Sequence, residues 1–255
     1  MRIATWNVNS LRVRLPHLLD WLRLAQPDIV GLQETKMTDD VFPHAALAAA
    51  GYRALCSGQK TYNGVALLAR EALVESMCDM PDFEDPQRRV LAATLGELRV
   101  INVYVPNGQA VGSEKYEYKL RWLKALRGWL QEQLAQYPKL VLMGDFNIAP
   151  EDRDVHDPAA WAGQILCSAA ERAALAELTA LGMNDVFRQF ETAAGLFSWW
   201  DYRAAGFRRN LGLRIDLILG SSALAAAWRS CQIDVAPRRG EQPSDHAPVL
   251  ADFDI

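Results

Sequence analysis

Arg2-Ile3-Ala4-Thr5-Trp6-Asn7-Val8-Asn9-Ser10 is an apolar run that gives out into polar residues. A short stretch of β-formers closed by Asx and Ser reads as a strand with a loop at its carboxyl end. Leu15, Leu18, Leu19 and Leu22 then recur at helical spacing, and Pro27 breaks the chain before a second apolar run, Ile29-Val30-Gly31-Leu32. The opening unit is therefore strand, helix, strand.

Further strands are expected from Gly64 to Ala69, Val90 to Leu95, Leu98 to Val105, Leu140 to Met143, Ile215 to Leu219 and Pro248 to Phe253. Leu123, Leu126, Leu130 and Leu134 mark one later amphipathic helix, and Leu175, Leu178 and Leu181, closed by Gly182, mark another. Strands outnumber helices through the middle of the chain, so the strict alternation of a doubly wound sheet or a (β/α)₈ barrel is missing. Two packed mixed sheets with outer helices fit the order better.

The chain has 255 residues, half of them hydrophobic, enough to bury a large core. No Gly-, Ser- or Pro-rich stretch and no block of like charge divides it, so one domain over residues 1–255 is expected. The first residues lack a basic leader and cleavage site, and no apolar run reaches the roughly 20 residues of a membrane span. Cys56, Cys78, Cys167 and Cys231 show no Cys-x-x-Cys spacing, which argues against zinc and a disulfide framework and for a cytoplasmic location. The net charge of −4 excludes little, because a basic face can sit on an acidic body and metal-binding carboxylates lower the total.

Five polar clusters border apolar strands: Asn7 and Asn9; Gln33-Glu34-Thr35; Tyr104 and Asn107; Asp145 and Asn147; Asp245-His246. Any one of them suits a turn. Together they suit a cleft, because strands packed side by side bring their ends together. Glu34 offers a hard oxygen ligand with no cysteine nearby, which favours magnesium or manganese over zinc. Asp145 can orient or deprotonate a water, Asn7 and Asn147 can donate to phosphate oxygens, and Tyr104 can bind or protonate an oxygen. Asp216 interrupts an apolar strand, where a carboxylate is costly unless paired, and His246 is the partner that would pair it.

The ordered motifs Trp6-Asn7-Val8-Asn9, Leu32-Gln33-Glu34-Thr35-Lys36, Gly144-Asp145-Phe146-Asn147 and Ser244-Asp245-His246-Ala247-Pro248 closely resemble the exonuclease III family of DNA-repair nucleases. The likeness includes Tyr104-Val105-Pro106-Asn107, Phe197-Ser198-Trp199-Trp200-Asp201-Tyr202 and Asn210-Leu211-Gly212-Leu213-Arg214-Ile215-Asp216. It implies an α/β four-layer sandwich, two mixed β-sheets packed face to face with helices on the outer faces. The implied activity is Mg2+-dependent, with Mn2+ as a substitute: abasic endonuclease, 3′-to-5′ exonuclease, or 3′-phosphatase and 3′-phosphodiesterase on duplex DNA, leaving 3′-hydroxyl ends for base excision repair. The implied partner is double-stranded DNA with abasic sites or damaged 3′ ends, met by a monomer and without a membrane.

Carried over residue by residue, the resemblance makes Glu34 the main metal ligand, with Asn7 and Asp245 close to the metal or its waters. Asp145 activates the nucleophilic water, and His246, oriented by Asp216, contacts the scissile phosphate. Tyr104, Asn107 and Asn147 position or polarise the same group. Trp199 and Leu213, with Ile215, Arg214 and Asn9, would form the substrate-binding surface, Trp199 and Leu213 being the best candidates for an extrahelical sugar. Arg203, Arg208, Arg209, Lys115, Lys119 and Arg121 are further candidates for phosphate contacts.

One segment departs from the family pattern. Leu166-Cys167-Ser168-Ala169-Ala170-Glu171-Arg172 has cysteine where an aromatic is usual, alanine in place of proline, and a bulky Leu166 where some abasic endonucleases have glycine. Such a loop should hinder a flipped sugar while admitting a frayed 3′ end. A phosphatase or lipid phosphodiesterase using the same groups is the alternative activity, but it has no use for the aromatic and arginine segment. A non-catalytic DNA-end binding module would have lost Glu34, Asp145 or His246, and all three are present.

Overall fold

The computed structural model describes residues 1–255. In chain order the strands are β1 (Arg2–Asn7), β2 (Ile29–Gln33), β3 (Arg53–Ser57), β4 (Val65–Ala69), β5 (Val74–Met77), β6 (Val90–Leu95), β7 (Leu98–Tyr104), β8 (Leu140–Asp145), β9 (Met183–Asp185), β10 (Trp199–Trp200), β11 (Gly212–Leu213), β12 (Asp216–Ser221), β13 (Trp228–Ile233) and β14 (Val249–Phe253). The helices are α1 (Leu11–Ala25), α2 (His44–Ala49), α3 (Glu114–Gln136), α4 (Pro158–Trp161), α5 (Ala169–Thr179) and α6 (Val186–Phe190). No helix is long and apolar enough to cross a membrane.

Two six-stranded sheets form, ordered β13-β14-β1-β2-β4-β3 and β5-β6-β7-β8-β12-β9. Both are mixed. β1 runs parallel to β2, and β7 parallel to β8, while the remaining pairs are antiparallel. The two parallel pairs share a cause, because β1-α1-β2 and β7-α3-β8 are each a strand, a crossover helix and a parallel strand.

Three apolar layers separate four layers of backbone. Ile3, Ile29, Val65 and Leu67 of the first sheet meet Leu91, Val100, Val141, Met143 and Ile218 of the second between the sheets. The opposite face of the first sheet, with Ala4, Trp6, Val30 and Leu32, is covered by Leu18, Trp21 and Leu22 of α1 and Leu47 of α2. On the second sheet, Ile101, Val103, Leu140, Leu142, Leu217 and Leu219 lie against Trp122, Leu126 and Trp129 of α3 and Leu175 and Leu178 of α5. The inner strands are thus buried on both faces, which is why they read as continuous apolar runs rather than alternating ones. This is the expected four-layer α/β sandwich.

A polar bridge crosses the inner apolar layer. Asn102 of β7 donates to the carbonyls of Leu32 and Ala66 at 2.9 Å each and accepts from Gln33 Nε2 at 2.6 Å. Gly31 makes room for it: a Cβ there would lie 2.8 Å from the Asn102 side chain. The bridge ties the two sheets one residue before Glu34 and two before Tyr104.

Candidate active site

β1, β2, β7 and β8 deliver the carboxyl-end residues Asn7, Glu34, Tyr104 and Asp145 to one edge of the sandwich. β12 and β14 run antiparallel to β8 and β1, so the start of β12 and the loop before β14 reach the same edge with Asp216 and with Asp245 and His246. Cα register pairs Asp216 with Asp145 and Tyr104 with Asp145. The sheet therefore sets three of the polar groups before any side chain is considered.

Glu34 sits on left-handed backbone, φ 53°, as the chain turns out of β2. Its Oε1 accepts from Tyr104 Oη at 2.8 Å and Asn7 Nδ2 at 2.9 Å, and its Oε2 pairs with Lys36 Nζ at 2.8 Å. Burial pushes the Glu34 carboxyl up, but Lys36 and Asn7 outweigh that and hold it below its usual value. The same Asn7 amide donates to Asp145 Oδ2 at 2.9 Å, bridging the two carboxylates.

Asp145 is 1 % exposed, and its Oδ1 accepts from the Asn147 amide at 2.9 Å. Burial raises its pKa to about 7 against the opposing pull of His246. His246 Nε2 is 3.8 Å from Asp145 Oδ2, and its Nδ1 is 2.9 Å from Asp216 Oδ2. Ser198 Oγ donates to the same Asp216 oxygen at 2.6 Å. With Asp216 as acceptor, Nδ1 carries its hydrogen. Burial alone would lower the imidazole pKa, but Asp216 and Asp145 overcome it and push it up to about 10. Burial, then Glu34 and Asp145, keep the Tyr104 hydroxyl protonated well beyond its ordinary range.

Ligand atoms of Glu34, Asp145 and His246 all lie within 4.8 Å of one another, a group that could hold a metal ion. Asp245 stands outside it, with Oδ1 accepting from Asn9 Nδ2 at 2.9 Å and Oδ2 from Trp199 Nε1 at 3.0 Å. Asn7 faces the carboxylates with its amide nitrogen, while its Oδ1 accepts from the Asn9 amide at 3.0 Å. Asn107 joins the second amide of the cleft, donating to Asn147 Oδ1 at 3.1 Å.

Several residues expected at the surface are inside. Arg214 is 1 % exposed, because its guanidinium is taken up by Asp154 at 2.6 Å and Asp185 at 2.7 Å, so it is not free for a phosphate. Lys119 is likewise buried, paired with Glu171 at 2.5 Å. Leu213 and Ile215 are fully packed with Leu166, Cys167 and Val155, and Trp199 lies against them half-buried. Of the aromatic and aliphatic substrate candidates, Leu213 and Ile215 are enclosed, whereas Trp199 is partly exposed and Tyr202 of the same aromatic segment is 51 % exposed. Arg203, Arg208, Arg209, Lys115 and Arg121 are exposed.

Three residues of the site carried no role in the sequence reading. Lys36 neutralises Glu34 and donates to Asn9 Oδ1 at 2.6 Å. Ser198 supports Asp216 from within the aromatic segment. Arg14 of α1 donates to the carbonyls of Asn9, Gln242 and Pro243, tying the loop before Asp245 to the start of α1. Lys36 was visible beside Glu34, whereas nothing local marks Arg14.

Residues 4–246 match the model of the endonuclease/exonuclease/phosphatase family. The exodeoxyribonuclease III of Haemophilus influenzae is 38% identical over 267 residues, covering 99% of this chain and 100% of that protein. Among solved structures, the 3′ phosphatase NExo from Neisseria, bound to product DNA hairpin, superposes with a TM-score of 0.98 at 48% identity over the full length of both chains. An AP endonuclease from Archaeoglobus fulgidus gives 0.96 at 38% identity, again over both full chains.

Proposed function

Because the chain belongs to the endonuclease/exonuclease/phosphatase family, in its exonuclease III branch, we propose that this hydrolase cleaves DNA phosphoesters with a divalent metal, acting chiefly at 3′ ends and leaving a 3′-hydroxyl. The observation that carries the reading is the convergence of Glu34, Asp145 and His246 within 4.8 Å, with Asp216 behind the histidine.

The donor set fits magnesium or manganese. Glu34 and Asp145 offer hard oxygens, there is no thiolate, and Mg2+ is commonly held by one or two carboxylates plus substrate phosphate. Glu34 would be the main ligand, with Asp145 and Asn7 close by and Asp245 further out behind Asn9 and Trp199. A bound ion would offset charge on the phosphate and on the leaving oxygen.

The protein's own groups do the rest. Asp145, with its pKa near neutrality, takes a proton from the attacking water. The water oxygen bonds to phosphorus as the bond to the leaving oxygen breaks, and that oxygen takes up a proton from solvent to become the 3′-hydroxyl. His246 is cationic because Asp216 keeps it so, and it stabilises the phosphate through Nε2–H. Tyr104 stays protonated and can donate, and Asn107 and Asn147 orient the phosphoryl oxygens.

The preference for 3′ ends rests on the Leu166-Cys167 segment. Leu213, the candidate floor of a sugar pocket, is 0 % exposed in one packed cluster with Leu166 and Cys167. A terminal nucleotide needs less room beside Trp199 than a flipped internal sugar does. The NExo relative, named as a 3′ phosphatase, supports the same choice. A monomeric single catalytic domain, cytoplasmic and acting on duplex DNA, completes the proposal, and its four free cysteines accord with that compartment.

The test is to incubate the purified protein and Mg2+ with duplexes carrying a recessed 3′ end, a 3′-phosphate or an internal abasic analogue, beside an inositol phosphate. Cleavage at the 3′ ends with weak internal incision is expected. Hydrolysis of the inositol phosphate with all DNA intact would overturn the DNA assignment, and dominant internal incision would make the protein an abasic endonuclease.

A further inference from the structure

The chemistry just described leaves one buried cation unused. Lys119, in the second turn of α3, is 0 % exposed, and its ammonium reaches three acceptors: Glu171 Oε1 at 2.5 Å, the Asn147 carbonyl at 2.6 Å and the Asn107 carbonyl at 3.2 Å. Those are the backbone carbonyls of the two residues whose side-chain amides are assigned to the phosphate. Burial draws the Lys119 pKa down, and Glu171 pulls against it.

Glu171 faces the other way as well. Its Oε1 accepts from the Leu166 amide at 3.1 Å, and its Oε2 accepts from the Ser168 amide at 3.0 Å and the Ser168 hydroxyl at 2.7 Å. Leu166 occupies left-handed backbone, φ 72°, which disfavours a non-glycine residue and persists only when its surroundings enforce it. Here the enforcement is visible: the Leu166 amide is held by Glu171, and its carbonyl accepts from the Ala149 amide at 2.8 Å, two residues past Asn147. Gly108, next to Asn107, adds a close approach. A Cβ there would lie 2.9 Å from Ile165 Cδ1 and 3.1 Å from Lys119 Cδ.

We infer that Lys119 and Glu171 form a positioning pair that couples Asn107 and Asn147 to the 164–168 loop and thereby sets the ratio of 3′-end cleavage to internal incision. This rests on the reading of the protein as a DNA hydrolase. Packing alone does not explain the pair, since a buried ion pair exchanged for apolar residues often leaves stability unchanged or improved. The helix cap does not explain it either. Ser168 and Glu171 satisfy each other at the start of α5 without a lysine.

The experiment compares wild type with Lys119→Met, Glu171→Gln and the double variant Lys119→Met/Glu171→Met, measuring kcat and KM separately on a recessed 3′ end and on an internal abasic analogue. Amide hydrogen exchange at Leu166 and Ser168 is followed without DNA. Misplacing a reacting group by on the order of 1 Å costs about 100-fold. The expected result is a 10- to 100-fold fall in 3′-end kcat with KM little changed, a rise in relative abasic incision, and faster exchange at both amides.

The double variant strands no charge but removes the partners of the Asn107 and Asn147 backbone carbonyls and of the Leu166 and Ser168 amides, so it should melt below wild type yet stay folded while showing these changes. A folded double variant with wild-type kcat and an unchanged substrate ratio overturns the inference. If both methionine variants fail to fold, Glu171→Gln decides, because it keeps the shape and removes the charge: an unaltered ratio there overturns the pairing. Wild-type protein that cuts no DNA, while Lys119→Met still loosens the Leu166 amide, overturns the functional reading instead.

Discussion

Asp216 holds Nδ1 of His246 at 2.9 Å from a position that is the direct register partner of Asp145, the carboxylate 3.8 Å from Nε2 on the other side of the ring. One imidazole thus has a carboxylate at each nitrogen, and the two carboxylates come from adjacent strands. Cleavage needs Asp145 ionised and His246 cationic, so activity should rise with pH through about 7 and fall as pH approaches about 10. In Asp216→Asn the largest charge raising the imidazole pKa is gone, and Asp145 and Asp245 are left to oppose burial. The alkaline limb should move to lower pH, with kcat down by about 10²- to 10⁴-fold. A pH profile of kcat/KM for both proteins checks this, and an unmoved alkaline limb would remove His246 from the assignment.

Glu34→Gln keeps the shape of the side chain and removes the charge offered to the metal, while leaving Lys36 without its charged partner. The Mg2+ concentration for half-maximal activity should rise by about 10- to 100-fold. The gain in melting temperature that Mg2+ gives the wild type through binding the folded state should shrink in parallel. Wild-type Mg2+ dependence in both measurements would overturn Glu34 as ligand.

Leu166→Gly should shift the substrate balance toward the internal abasic analogue, because the bulk packed with Leu213 is removed. Two stability effects oppose each other. Glycine relieves the left-handed backbone, about 1–3 kcal/mol, and the loss of a buried leucine costs about 2–5 kcal/mol. Net destabilisation of a few kcal/mol by denaturant titration is expected. Parallel rates on the two duplexes give the balance, and a constant ratio argues that the loop does not select the lesion.

Asp154 accepts from Arg214 at 2.6 Å and also from Arg188, both guanidinium groups being nearly or fully out of water. Asp154→Ala leaves two buried cations with fewer partners, and a broken buried pair costs about 3–5 kcal/mol. At roughly 2–4 °C per kcal/mol for a chain of this size, the melting temperature should drop by about 10 °C. Burial pushes the Asp154 carboxyl up, but Arg214 and Arg188 hold it below its ordinary value. Its contribution is therefore complete above the unfolded pKa of about 4 and is lost as pH falls through the lower folded value. Melting curves from pH 6 downward should show the wild type losing stability in that acidic window more steeply than Asp154→Ala.

How much of this was legible depends on where each residue sits. The eight strands expected from apolar runs are β1, β2, β4, β6, β7, β8, β12 and β14, which are the inner strands of the two sheets. The strands that went unseen, β3, β5, β9 and β13, are the four edges. An edge strand has a neighbour on one side only and tolerates charge, so Val74-Glu75-Ser76-Met77, exposed along most of its length, carries no apolar signature. The hairpin β10–β11 is two residues a side and too short for one.

The site was legible for the same reason as the inner strands, since Glu34, Asp145 and Asp216 are polar interruptions at the ends of apolar runs. Arg214 and Lys119 were not legible as interior groups. Their partners lie 60, 29 and 52 residues away in sequence, and a lone basic residue reads as surface until those distances close.

The placement of β1 between β14 and β2 has a consequence for synthesis. β1 pairs with β14, Arg2 opposite Asp252 and Thr5 opposite Val249, and the loop just before β14 supplies Asp245 and His246 to the cleft that holds Asn7. A ribosome adding about 5–20 residues each second reaches His246 only 240 residues after Trp6. A nascent or truncated chain that stops short of His246 therefore has Glu34 and Asp145 but lacks the cation assigned to the phosphate beside them.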